Sequence, residues 1–170
     1  NVLDFFVIAD TAILPVVPEP TSIENAYQFV KAAYYRHLKH LQQIGPFRDL
    51  LKEAMLESES GGLRSPADLI SYVSQQSPQT GPILQRAMTR MPLKLLVNQA
   101  RLPNEYQLGN AMTAACRKYL GISMEFLGTI PYDQVVLESI RARRPVVDYD
   151  SEAIVSQSLC DIGATLLRRE

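Results

Sequence analysis

Residues 93–101 read LKLLVNQAR. Leu93 to Val97 have the length and character of a buried strand, and the run stops on the polar pair Asn98–Gln99. Two more runs follow the same plan. AILPVV (Ala12 to Val17) halts at Pro18 and leads into PEPTSIENAY, and Phe126 to Ile130 close on Pro131-Tyr132-Asp133. Helical patterns lie between them. One runs from Ser22 to about Gln43, with Ile23, Tyr27, Val30, Tyr34, Leu38 and Leu41 on one face and Gly45-Pro46 as its stop. Thr21 or Ser22 can cap it, and Thr21 with Glu24 fits a capping box. A second spans about Asn104 to Leu120 and ends at Gly121. A third follows Asp133 to about Arg143, with Val135, Val136, Leu137 and Ile140 apolar, and a last one covers Glu152 to about Leu167. Continuous apolar strands joined by helices imply an α/β fold with a parallel sheet covered on both faces.

The chain divides into three stretches. Residues 1–45 form a strand–helix unit, opened by NVLDFFVIAD, which reads as the end of a buried helix. Residues 46–91 are punctuated by SESGG, RSPAD and SPQTGP and read as a helical insertion of three short helices. Ser65 caps the second of these, with Pro66 at its first position. Residues 92–170 carry the remaining strands and the terminal helix. All belong to one domain, since 170 residues suffice for a single core. Three strands make a thin sheet, so the free edge of the first is expected to pair with strands outside this chain. The start in mid-element, without Met, points to missing upstream residues. Pro15 lacks the N–H that a central strand needs, so the run is near an end, locally irregular, or unpaired on the N–H side at that residue.

Bulk properties exclude little and suggest little. The chain is 46% hydrophobic and 21% charged with a formal net charge of −1, so no bulk attraction to nucleic acid or membrane follows. Cys116 and Cys160 are far apart and lack metal-type spacing, which favours a reducing, cytoplasmic setting. No run is long enough to span a bilayer.

The chemistry concentrates where the strands end. In open parallel sheets, ligands bind beyond the carboxyl ends of the strands. Asn98 offers a donor and an acceptor that match N6 and N7 of adenine. Pro131 and Tyr132 offer a flat apolar wall. The competing reading is structural: Asn98 and Asp133 simply cap the turn or helix that follows.

PEPTSIENAY, LVNQAR and the long YLGISMEFLGTIPYDQVVLESIRARRPVVDYDSEA together resemble the MinD/ParA-type deviant-Walker P-loop ATPases, nearest the FlhG/FleN flagellar-number regulators and MinD-like proteins. The resemblance covers most of the chain outside Pro46 to Arg90. It implies part of a parallel-sheet P-loop NTPase fold of the SIMIBI type, with the N-terminal half that carries Walker A missing. It further implies an ATP-hydrolysing spatial regulator that positions division sites, flagella or other cargo and forms an ATP-dependent homodimer. Carried over by match, Asn98 recognises adenine, Pro131, Tyr132 and Asp133 line the base pocket, Gln99 and Arg101 lie close by, and Glu19 sits near the nucleotide and the dimer face. ATP or ADP and Mg²⁺ are the implied cofactors, with the Mg²⁺ ligands upstream. A protein regulator or cargo is the implied partner, with no sequence-specific nucleic acid. Peripheral contact with the inner membrane through a C-terminal amphipathic helix is a family habit. The polar face of Glu152 to Leu167 is not basic, however, and packing on the sheet accounts for its apolar face.

The chain contains no G-x-x-x-x-G-K-[ST] phosphate loop. The 170 residues alone are therefore expected not to hydrolyse ATP. A contrasting reading makes the chain a non-catalytic interaction module whose partner surface is the insertion. Weaker signals are His37 and His40 as a metal pair, the basic cluster Arg141, Arg143 and Arg144 as an anionic-partner contact, and the serines around SESG as nucleophile or phosphosites. A solvated helix face, a surface charge patch and a plain loop account for these as well.

Overall fold

A computed structural model of the chain describes residues 2–43, 48–59, 65–89 and 93–168. The expected helix stop at Gly45-Pro46, most of the SESGG turn and the 91/92 boundary lie outside these. Three parallel strands pair in the order β1 (Ala12–Val16), β2 (Leu93–Ala100), β3 (Glu125–Pro131). Before β1 comes α1 (Val2–Ile8), and α2 (Pro20–Gln43) follows it. The insertion forms α3 (Arg48–Glu59), α4 (Pro66–Gln76) and α5 (Thr80–Thr89). Between β2 and β3, a 3₁₀ turn at Pro103–Gln107 leads into α6 (Leu108–Ala115), which widens into a π turn at Cys116–Leu120. After β3 come α7 (Gln134–Arg141), α8 (Val146–Tyr149) and α9 (Ile154–Leu167). The chain is thus an α/β protein with a small parallel sheet. Among the described residues, no helix is long and apolar enough to cross a membrane.

Pro15 pairs level with Leu96 in a strand that has β2 as its single neighbour among the described residues. An edge strand tolerates a residue without an N–H, which accommodates this proline. The start of α2 differs from expectation. The helix begins at Pro20, and the Glu19 carbonyl accepts the Ile23 N–H at 3.0 Å. Thr21 is therefore helical and forms no capping box with Glu24. Proline at the first helical position lacks only an N–H that would be unpaired there anyway, so the helix starts before the threonine. Ser22 Oγ instead accepts the Val17 N–H at 3.1 Å and ties the strand end to the helix. The Ser65 cap forms as expected: Asp68 N–H donates to Ser65 Oγ at 3.1 Å, and Ser65 N–H donates to Asp68 Oδ2 at 2.8 Å.

The α1 segment is a helix but has no buried residue. Phe6 meets Phe29 edge to face at 4.8 Å and Asp4 pairs with Arg36, while Val2, Phe5 and Ile8 stay exposed. The insertion is part of the main core. Leu51 of α3, Leu69 and Val73 of α4 and Leu84 of α5 are fully buried in one cluster with Val30 and Leu38 of α2 and Leu95 and Val97 of β2.

Two bulges set the faces of the sheet. Leu95 is level with Phe126 but Leu96 with Gly128, so Leu127 is an extra residue in β3. Asn98 is level with Ile130 but Ala100 with Pro131, so Gln99 is an extra residue in β2 and the register returns. Phe126, level with Leu95, lies against Gly109 of α6, and Gly128, level with Leu96, lies against Ile162 of α9. The two helices therefore cover opposite faces. Gly128 has φ of +148°, a conformation that calls for glycine, and a Cβ there would approach the Ile162 side chain to 3.3 Å. The terminal helix packs on β3, the arrangement that its apolar face suggested.

Candidate functional site at the carboxyl end of the sheet

Asn98 shares the α9 side of the sheet with Leu96, so its side chain emerges near the strand tip beside Ile130. There a cleft of about 390 Å³ opens among the end of β2, the end of β3 and helices α7 to α9. Asn98, Gln99, Pro131, Tyr132 and Asp133 line its upper part. Val136, Leu137 and Ile140 of α7, Val146 of α8, and Val155 and Leu159 of α9 form an apolar wall below them. A smaller groove of about 210 Å³ adjoins it and is lined by Val17, Pro18, Glu19, Gln99, Arg101 and Glu105. Gln99 borders both. All seven residues singled out from the sequence thus gather around two adjoining depressions at one end of the sheet. They come from three loops separated by tens of residues.

Local hydrogen bonds fix the geometry. The Tyr132 N–H donates to the Ala100 carbonyl at 2.8 Å and carries the strand pairing one residue beyond β3. Asp133 is the N-cap of α7, with Oδ1 accepting the Val135 N–H at 3.0 Å. Asn98 Oδ1 accepts the Gln99 N–H at 3.0 Å. The capping reading therefore holds for Asp133. For Asn98 it holds in part: the oxygen retains a second lone pair, and the amide nitrogen makes no hydrogen bond to the described residues. Gln99 has φ of +60°, a left-handed conformation unfavourable for a side-chain-bearing residue. Such strain collects where a backbone is held for a purpose other than its own stability.

Charge is organised by Glu105. Its Oε2 accepts the N–H groups of Arg101 at 2.6 Å and Leu102 at 3.0 Å, and these bonds hold its carboxyl below the ordinary range. The loop so fixed places the Arg101 guanidinium over the Tyr132 ring, 4.1 Å from its centroid. The Tyr132 hydroxyl donates to Gln134 Oε1 at 3.3 Å, and the residue remains 46% exposed. One ring face is thus engaged by Arg101. A planar ligand stacking on that face would have to displace the guanidinium or slide beside it.

Sequence reasoning missed Glu105 and the apolar wall. The signal for Glu105 is local: in LPNE, Pro103 starts the turn and an acid two residues on reaches back to the free N–H groups. Val136, Leu137 and Ile140 show in the sequence as an apolar helix face, but nothing there places that face beside Val146 and Leu159. Of the weaker candidates, most of the SESGG serine stretch lies outside the described residues. His37 is half-buried with Nε2 3.4 Å from the Ala87 carbonyl, whereas His40 is exposed. Among the described residues, no group of three or more His, Cys, Asp or Glu side chains could hold a metal. Arg144 donates to the Asp148 carbonyl at 2.5 Å and thereby braces α8, while Arg141 and Arg143 are exposed.

No family model matches the chain, and no curated protein matches it at a significant level.

Proposed function

We propose that the strand-tip cleft binds the purine of ATP or ADP, and that the chain serves as the base-binding edge of a MinD/ParA-type ATPase that dimerises around its nucleotide. The observation that carries this reading is the convergence of Asn98, Pro131, Tyr132 and Asp133 on one cleft, with Glu19 and Arg101 on the adjoining groove. The cleft suits a heteroaromatic base. Its walls are apolar, its volume is that of a small-ligand pocket, and one amide stands at its rim with hydrogen-bonding capacity left over. In this reading Asn98 accepts from the exocyclic amine and donates to the ring nitrogen of adenine, Pro131 and the α9 wall exclude water from the base, and Arg101 and Glu19 face the sugar or the partner subunit. The bound nucleotide supplies the phosphates for hydrolysis, and the residues described here hold and orient its base.

Equilibrium titration with ATP and with GTP tests the proposal. ATP is expected to bind more tightly than GTP, because a 6-oxo group cannot donate to the Asn98 oxygen. Asn98→Ala should weaken ATP binding by roughly 1–3 kcal/mol, the worth of one bidentate base contact. Equal affinity for the two nucleotides, or for the variant, would contradict the reading.

A further inference from the structure

A separate depression of about 320 Å³ lies near the amino end of β3, where Ile122 and Ser123 lead into the strand. Its floor is buried: Met88 of α5, Ile122, and Tyr34 from the middle of α2, which is 3% exposed. Its mouth is polar, with Ser71 of α4, Arg117 and Ser123 all exposed. Two polar groups of this cavity have no partner among the described residues. The Tyr34 hydroxyl makes no hydrogen bond to a described residue, and although the residue is only 3% exposed its oxygen is not sealed from solvent. A group that enters the cavity can take the place of water at this hydroxyl. Arg117 makes no ion pair among the described residues, and no acidic side chain lines the cavity. A guanidinium with hydroxyls beside it and no carboxylate in the lining attracts an anion.

We propose that this cavity is a second binding site, for a small organic anion whose carboxylate or phosphoryl head pairs with Arg117 at the mouth and whose apolar body rests on Met88 and Ile122 beside the Tyr34 hydroxyl. Burial pushes the Tyr34 phenol up to about 12, so it is a hydrogen-bond donor at neutral pH. The helices of the insertion build two walls of the site. It shares no lining residue with the strand-tip cleft, so its failure would leave the purine reading untouched.

The test is an amide NMR titration of the full chain with benzoate, hexanoate and phenyl phosphate in separate arms, and with benzamide as the neutral control. At least one anion is expected to shift the resonances of Ser71, Arg117 and Ser123, and the arm that does so identifies the head group. Benzamide should shift none of them. Arg117→Gln should weaken binding by about tenfold or more, and Tyr34→Phe by about fivefold. Both variants should keep the parental melting temperature, since neither removes an existing contact. No shift with any anion, equal binding of benzamide, or unchanged affinity in either variant would overturn the proposal.

Discussion

The carboxyl end of the sheet and the helical insertion handle polarity in opposite ways. At the strand tips, polar groups sit on backbone that has just left the sheet, and each is held by a bond to the next turn: Asn98 to Gln99, Asp133 to Val135, Glu105 to Arg101 and Leu102. Around the insertion, helices bury leucines against α2 and β2, and a polar atom is left over where the faces meet, as at His37 Nδ1 of α2, buried without a hydrogen bond among the described residues. Strand tips make sites by ending regular structure, whereas helix faces make them by incomplete packing. The first kind is organised by local hydrogen bonds and the second by volume. Substitutions should therefore act differently in the two regions.

The largest effect should come from Leu69→Ala in α4. Leu69 is fully buried in the shared core, so about 2–5 kcal/mol of stability should be lost. Denaturant unfolding followed by far-UV and near-UV signals should shift as one transition. A second, separate transition would mean that the insertion folds apart from the sheet. Next is Gly109→Ala, at the contact of α6 with β3. A Cβ there would come within 2.1 Å of the Phe126 ring, and the forced shift should cost roughly 1–3 kcal/mol. Asn98→Ala should fall in a similar range, but in nucleotide affinity and not in the unfolding midpoint. A variant that loses both equally would make Asn98 a structural residue.

Smaller still is Gln99→Gly. Relief of the positive φ should raise stability by up to about 1 kcal/mol in urea unfolding, partly offset by added freedom in the unfolded chain. A loss of stability would show that the Gln99 side chain carries packing of its own. The smallest effect concerns Glu105. Its carboxyl is lowered from the ordinary 4.5 by two backbone N–H donors, so its contribution is present above that value and disappears as pH falls through the lower, folded value. Thermal melts from neutral to acidic pH should therefore show a slightly steeper decline below 4.5 in the parent than in Glu105→Gln. Identical profiles would remove Glu105 from the account.

Much of the scaffold was legible because it is encoded locally. Leu93–Val97 and Phe126–Ile130 lie inside the observed strands, and Ser65 and Asp133 are caps in the structure because small polar side chains reach the free N–H groups of a following helix. Thr21 misled because Pro20 competes for the helix start. The stretch after Arg101 read as one helix, yet it passes through 3₁₀, α and π windings, the first of them opened by Pro103. The paired bulges at Leu127 and Gln99 were not legible at all. They follow from matching two strands to each other and leave no mark in the composition of either. The polar rim of the cleft was therefore visible in the sequence, and its apolar wall, made by three helices folding back, was not.

Adenosine titration followed by amide and side-chain NMR tests the central claim most directly. The account expects the Asn98 side-chain amide and the backbone signals of Gln99, Tyr132 and Asp133 to shift together with adenosine, and expects Asn98→Ala to weaken binding by the same roughly 1–3 kcal/mol while Tyr34 and Arg117 stay unperturbed. No shift at these residues up to millimolar adenosine, or shifts confined to another part of the molecule, would contradict it.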